Sequence, residues 1–293
     1  IRLLRFAAPP FILFQDLPDE SKDEYLITDV PLKALTVFAM PMILGSFFQQ
    51  VYNMADSIIV GQFVGSSALA AVGACAALTN VFICVALGAG VGAGVLVSRY
   101  FGARNYSKMK TIVSTSLISF LVLSVLLGIF GFGLSHPMMS LLQTPADILD
   151  EAVLYLRVYF VGFPFLFMYN ILSTMFTSIG ESKIPLVLLI FSSVLNILMD
   201  LWMVAGLGLG VFGAALATLI AQGISAVFSF VIFFCRMRRY KSHFDWFDRK
   251  ELRSMLQIAI PSILQQSTVS IGMMIVQAVV NPFGTQALAG YAA

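Results

Sequence analysis

The chain has 293 residues, of which 59% are apolar and only 11% carry a charge, and its mean hydropathy is +0.92. Soluble domains average about 45 to 50% apolar and about 25% charged residues, so both values depart in the direction that lipid exposure requires. A soluble enzyme, a nucleic-acid-binding protein and a disordered chain are therefore excluded, and a net charge of +2 gives no reason to expect a nucleic-acid partner.

Seven apolar runs follow an amino-terminal segment that reads as neither a signal peptide nor a span. In that segment the apolar stretch at 6–14 is short, contains Pro9 and Pro10 and is followed by acids, so we predict a cytoplasmic tail. Each later run has about the 20-residue length that crosses about 30 Å of hydrocarbon, which predicts an all-α integral membrane protein, a polytopic helical bundle. The runs cover 35–60, 68–97, 112–135, 153–178, 185–204, 211–235 and 255–280.

Two of the joints between runs carry helix-start signals. Thr144 stands directly before Pro145, which predicts a threonine cap followed by a first-turn proline. Asp248 stands three residues before Glu251, which is the spacing of a capping box. Both signals predict helices that begin at a membrane face.

The distribution of Lys and Arg predicts the orientation in the membrane. Sixteen of the 17 basic residues fall in the amino-terminal segment or in the joints after the second, fourth and sixth runs, and the exception is Arg157. The joints at 61–67, 136–152 and 205–210 contain none. Because short loops rich in Lys and Arg stay in the cytoplasm, we predict a multi-pass protein of the plasma membrane with a cytoplasmic amino terminus.

An internal repeat indicates that the seven runs are part of a larger architecture. The stretch from Pro41 to the Gly-x-x-Ala-Leu-Ala at 65–70 recurs from Pro261 to 284–289. A unit of six crossings predicts two parallel lobes, a complete length of about 440 residues and a cleft between the lobes. The predicted divisions are a tail at 1–32, a first six-helix lobe at 33–238, a cytoplasmic connector at 239–254, and the first helix of an otherwise missing second lobe at 255–293.

Two of the fifteen acids, Asp56 and Asp200, lie inside predicted spans. A carboxylate near the bilayer centre costs about 2.5 to 3.5 kcal/mol, so such groups usually face a cavity or a partner. The topology places both acids at comparable depth in the outer leaflet. Asn196 lies one helical turn before Asp200, and Thr218 on the sixth run reaches a similar level.

Two carboxyls, an amide and a hydroxyl suit a proton or a hard monovalent cation such as Na⁺. Burial and a second acid both disfavour ionisation of a carboxyl, so protons are plausible ligands. The alternative is that both acids are interfacial groups wetted by headgroups. Asn170 lines the same cavity or forms a helix–helix hydrogen bond, whereas Arg157 is expected to reach the interface. The sequence contains no recognisable group of nucleophile, base and orienting residue, so we predict neither an enzyme nor a cofactor.

A glycine-rich stretch at 88–94 lies inside the second apolar run, where no strand precedes it. Gly88 with Gly92, and Gly90 with Gly94, form small-xxx-small pairs, which let helices approach closely. We therefore interpret it as a helix-packing motif and not as a nucleotide-binding loop.

The sequence resembles the multidrug and toxic compound extrusion (MATE) family over residues 33–293. The resemblance implies twelve helices in two lobes and antiport of organic cations or other xenobiotics against protons or Na⁺. By position it assigns ion coupling to Asp56 and Asp200, with Asn196 and Thr218 as oxygen partners and Asn170 lining the cavity. It rests on 41–61, 100–104, 178–185, 196–200 and 210–218.

Two alternative functions remain at this stage. A lipid-linked saccharide flippase of related architecture would need a cationic cavity, and only Arg157 lies near a span. A seven-helix receptor would place its amino terminus outside the cell, contrary to the distribution of basic residues.

Overall fold

A computed structural model describes residues 30–240, 242–284 and 290. Within this part of the chain no strand occurs, and seven helices are long and apolar enough to cross a membrane, which confirms the predicted fold class. The helices are α1 (Pro31–Phe63), α2 (Ser66–Gly102), α3 (Tyr106–Leu141), α4 (Leu149–Ser178), α5 (Lys183–Asp200), α6 (Gly210–Met237) and α7 (Arg249–Val280). Helix α5 continues directly into a π-helical turn, Leu201–Gly206, and α7 is followed by a 3₁₀ turn, Asn281–Phe283.

Helix α4 lies at the centre of the bundle and packs against α2, α3 and α6. Its buried face carries Phe160, Phe163 and Phe167, and the first two form edge-to-face contacts with Phe82 of α2. Such aromatic pairs contribute about 0.5 to 1.5 kcal/mol beyond their buried area. Helix α5 packs between α6 and α1, and α7 lies along α2 and contributes Met255 to the core.

The glycine-rich stretch of α2 packs closely against two different helices, as the small-xxx-small pattern predicts. A Cβ on Gly88 would stand 2.6 Å from the backbone of Ile263, and one on Gly92 would stand 2.7 Å from Ala259, so these two glycines admit α7. Gly90 and Gly94 face Thr174 of α4 in the same way. Glycine is required here because any side chain would separate the helices.

The repeat also has a counterpart in backbone conformation. Helix α1 contains Pro41 and ends just before Gly65, whose φ is +115°, while α7 contains Pro261 and its 3₁₀ extension ends just before Gly284, whose φ is +92°. A positive φ at both positions explains why both copies carry glycine. The predicted tail up to residue 29, and the repeat positions 285–289, lie outside the described residues.

The two helix-start predictions have different outcomes. Asp248 caps α7 by accepting a hydrogen bond from the backbone N–H of Lys250, but Glu251 accepts one from the Tyr100 hydroxyl, so the reciprocal capping box does not form. The threonine cap is wrong: α4 begins at Leu149, after a turn at 145–148, and Thr144 is not its cap. Because residues 145–148 form a turn, α4 begins four residues later than a cap at Thr144 predicts.

Candidate functional site

The two intramembrane acids are brought together by α1 and α5. The carboxyl groups of Asp56 and Asp200 lie within hydrogen-bonding reach of each other. Asp200 is fully buried and Asp56 is half-buried, and the Oδ1 atom of each is buried without another hydrogen-bond partner. Two carboxylates cannot hydrogen-bond to each other unless one carries a proton, so this contact is suited to holding a cation or a shared proton.

Asn196 connects Asp200 to α6. In the orientation that satisfies both neighbours, its amide nitrogen donates to Asp200 Oδ2 at 2.7 Å, and its oxygen accepts from Thr218 Oγ1 at 3.2 Å. Asn196 is 1% exposed, so the amide is held by these contacts and not by solvent. The four residues that sequence reasoning selected therefore form one contiguous polar cluster, which we call the acid cluster: Asp56, Asn196, Asp200 and Thr218.

The backbone changes conformation at the acid cluster. Asp200 is the last residue of α5, and the π-helical turn Leu201–Gly206 begins immediately after it. Single π-helical turns inside α-helices occur frequently at functional sites. Here the wider turn follows the acid directly, and no sequence signal at 201–206 predicted it.

Tyrosines surround the acid cluster, and sequence reasoning missed them. The phenol of Tyr52 lies within hydrogen-bonding reach of the Thr218 side chain and within electrostatic range of Asp56 and Asp200, and Tyr155 of α4 lies within electrostatic range of Asp56. Tyr52 precedes Asp56 by one helical turn, so the same i, i+4 reasoning that linked Asn196 to Asp200 would have found it. Tyr155 had no such signal, because it approaches from a different helix.

A small cavity of about 20 Å³ adjoins Thr218 between α4 and α6. Its lining includes Tyr155, Tyr159 and Gln222, and the Tyr159 hydroxyl and the Gln222 side-chain oxygen are buried without partners. A space of this size exceeds the roughly 10 to 15 Å³ needed by one water molecule. The acid cluster thus adjoins a space large enough for a single water molecule, beside two buried polar atoms that have no partner.

Among the described residues, neither Asn170 nor Arg157 forms a hydrogen bond with these four residues. The Asn170 amide donates to the backbone carbonyl of Leu166, one turn earlier on α4, at 2.8 Å. Leu166 lines the small cavity. Arg157 is exposed, with its guanidinium 5.6 Å from the centre of the Phe132 ring, as expected for a side chain that reaches the interface. Within the described residues, no group of three or more His, Cys, Asp or Glu side chains forms a metal site.

Comparison with known proteins shows that this chain is similar to multidrug export proteins. The MatE family model matches residues 41–202, which contain Asp56, Asn196 and Asp200. The chain is 28% identical to "Probable multidrug resistance protein YoeA" of Bacillus subtilis (strain 168), over 93% of this chain and 62% of that protein. It is 28% identical to "Multidrug export protein MepA" of Staphylococcus haemolyticus (strain JCSC1435), over 88% of this chain and 58% of that protein.

A solved structure shares the fold. It is described as "Crystal structure of MATE in the straight conformation", and it matches with a TM-score of 0.80 and 28% identity over 92% of this chain and 60% of that chain. The chain thus spans about 60% of the length of the relatives it matches.

Proposed function

Because the chain belongs to the MatE family, we propose that the full-length protein is a secondary antiporter that exports organic cations or other xenobiotics in exchange for inward-moving protons or sodium ions. The observation that carries this proposal is the facing pair Asp56 and Asp200, which lie inside membrane-length helices and each keep one buried carboxyl oxygen without a partner. Intramembrane acids of this kind mark ion pathways.

Proton coupling is favoured by the direct contact between the two carboxyls. One proton placed between Asp56 and Asp200 satisfies both and removes one of two like charges from a buried site, so a single ion changes the charge of the cluster. Sodium is the second candidate, because Asp56 Oδ1, Asp200 Oδ1 and the Thr218 hydroxyl are the hard oxygen donors such an ion takes.

Charge competition links ion entry to drug release. With the pair ionised, the acid cluster attracts a cationic drug; with a proton or Na⁺ bound, one of its two negative charges is neutralised and that attraction is weaker. Alternating access then requires the two states of charge to favour different helix arrangements, since a ligand shifts a conformational equilibrium only by its differential affinity for the two states. Helix α1 carries Asp56 and packs mainly against α5, so it is the element whose position this charge controls.

The second lobe is proposed to cover the faces of α1 and α7 that this chain leaves open. Gln50 and Asn53 of α1, and Gln265, Gln266 and Thr268 of α7, are exposed although they lie within membrane-length helices. Polar side chains at that depth usually face a protein or a water-filled cavity. The two faces therefore suit a cleft between lobes. We further propose that the amino terminus lies in the cytoplasm and that the bilayer is the plasma membrane.

Transport by full-length protein in proteoliposomes tests this function. A fluorescent organic cation is loaded, a proton or sodium gradient is imposed, and gradient-driven movement is compared among the unaltered protein, Asp56→Asn, Asp200→Asn and the control Asp150→Asn. Asp150 is an exposed acid in the first turn of α4. We expect both cluster variants to lose gradient-driven transport and the control to keep it; undiminished transport by either cluster variant contradicts the proposal.

A further inference from the structure

A second cavity, of about 490 Å³, lies between α3 and α6. Its floor is Met168 of α4, and its walls are apolar: Leu117, Ile118 and Leu121 on α3 face Phe230 and Phe234 on α6. Ile118, Leu121 and Phe230 are 42 to 48% exposed, so the cavity is an open groove within two membrane-length helices. We call it the α3–α6 groove.

Both basic side chains of the α3–α6 groove lie at the same end. Lys110 is half-buried at the start of α3, and Arg238 follows the last residue of α6. The Lys110 ammonium donates to the backbone carbonyl of Tyr240 and lies 5.7 Å from the Phe244 ring, and the Arg238 guanidinium lies 4.7 Å from the Phe234 ring. No acid lines the groove among the described residues.

The connector after α6 closes this basic end. Its backbone is held against α3 by hydrogen bonds from Ser107 to the carbonyl of His243 at 2.6 Å and from the Asp245 N–H to Thr111 at 3.1 Å. This attachment places Trp246, which is 71% exposed, at the mouth of the groove. An exposed tryptophan beside basic residues is typical of the level of lipid headgroups.

The length of the α3–α6 groove matches one leaflet. From Lys110 to Leu121 the helix rises about 16 Å, which is about half of a hydrocarbon core of about 30 Å. A molecule with an anionic head at Lys110 and Arg238 and apolar chains against Leu117 to Leu121 would be complementary to both the basic end and the apolar walls of the groove. An organic cation is disfavoured there, because both charged groups are positive.

We propose that the α3–α6 groove binds one anionic phospholipid, with the phosphate between Lys110 and Arg238 and an acyl chain along the apolar walls. Basic pockets between membrane helices on the cytoplasmic side are a recognised form of anionic-lipid site. The positive-inside rule assigns this end to the cytoplasmic leaflet. The site is separate from the acid cluster and does not depend on the transport function.

Native mass spectrometry of the purified chain in detergent, titrated with phosphatidylglycerol or phosphatidylcholine, tests the site. The charge variant is Lys110→Gln with Arg238→Gln, in which glutamine keeps a donor for Tyr240. The groove variant is Ile118→Trp, which fills the apolar part without changing charge. The control is Arg249→Gln with Lys250→Gln, which removes the same charge from exposed residues outside the groove.

We expect the unaltered chain and the control to bind one phosphatidylglycerol in preference to phosphatidylcholine. The charge variant should bind phosphatidylglycerol about 30-fold more weakly, since each basic residue near the headgroups contributes about 1 kcal/mol. The groove variant should lose the bound lipid of either kind. Equal binding of the two lipids by the unaltered chain, or unchanged phosphatidylglycerol affinity in either variant, overturns the proposal, and the groove variant decides it if the charge variant does not fold.

Discussion

Asp56 of α1 and Asp200 of α5 face each other inside the membrane-spanning bundle, and the buried Oδ1 of each has no other hydrogen-bond partner. Asp200 is oriented by Asn196, which is itself held by Thr218 of α6. The contact therefore joins three helices through a single pair of acids. A change of charge at this pair acts on the packing of α1, α5 and α6 together.

The affinity of the full-length protein for an organic cation should fall as the pH is lowered. One proton removes one of the two negative charges of the Asp56–Asp200 pair and a second proton removes the other, so the attraction for a cationic drug is strongest at high pH and lost at low pH. The double variant Asp56→Asn, Asp200→Asn should bind more weakly at high pH and show little pH dependence. Fluorescence polarisation of a fluorescent organic cation across pH measures this, with Asp150→Asn as the control; a double variant that keeps the pH dependence of the unaltered protein contradicts the assignment.

Replacing Thr218 by Val should weaken the contact between α5 and α6. The hydroxyl donates to the Asn196 oxygen at 3.2 Å, and interhelical hydrogen bonds in membranes contribute about 0.6 kcal/mol on average and about 1.7 kcal/mol at most. We expect a loss of stability in this range and reduced ion-driven transport, because Asn196, then held only by the backbone N–H of residue 218, orients Asp200 less firmly. Thr218→Ser, which keeps the hydroxyl, should restore coupling, and a Ser variant as impaired as the Val variant would show that the methyl group matters instead.

Replacing Gly92 by Val should separate α7 from α2. Its Cβ would stand 2.7 Å from the Cβ of Ala259 and 2.8 Å from the carbonyl oxygen of Met255, so the helices must move apart. Overpacking of this kind costs about 1 to 3 kcal/mol. Thermal unfolding in detergent measures the effect. The matched control is Gly133→Val in α3, where a Cβ meets nothing within 4 Å, and equal destabilisation by the two variants would argue against the close α2–α7 contact.

Arg236 near the end of α6 and Glu181 before α5 form an ion pair at 3.2 Å, with both side chains 10% exposed. Removing one partner of a buried pair leaves an uncompensated charge and costs about 3 to 5 kcal/mol, whereas removing both costs less. We expect Arg236→Gln and Glu181→Gln each to lower the thermal unfolding midpoint more than the double variant Arg236→Gln, Glu181→Gln does. Strictly additive effects in this double-mutant cycle would show that the two residues are not coupled.

Much of the fold could be predicted because each membrane helix must satisfy its own backbone hydrogen bonds and cover about 30 Å. These constraints are local, so apolar run length was sufficient to locate all seven helices. The predicted start of a helix differs from the observed one where a turn competes with a helix-start signal: Thr144 is followed by a turn, and α4 begins only at Leu149. The ion pair between Glu181 and Arg236 was not predicted, because nothing in the sequence indicates that a residue before α5 meets one near the end of α6.

For the acid cluster, the scarcity of charge in the spans selected Asp56 and Asp200, and helical spacing linked Asn196 to Asp200. The sequence by itself thus determined which residues are costly enough in a membrane to need a partner. Only the tertiary structure decided which residues those partners are. It brought the two carboxyls into contact, brought Tyr52 and Tyr155 to the acid cluster, and placed the π-helical turn directly after Asp200. The physical reason is that the cost of burying a charged side chain is a property of that residue, and the apolar residues around it in the chain reveal it. A hydrogen bond between helices depends instead on the relative rotation and depth of those helices, which the packing of the whole bundle sets.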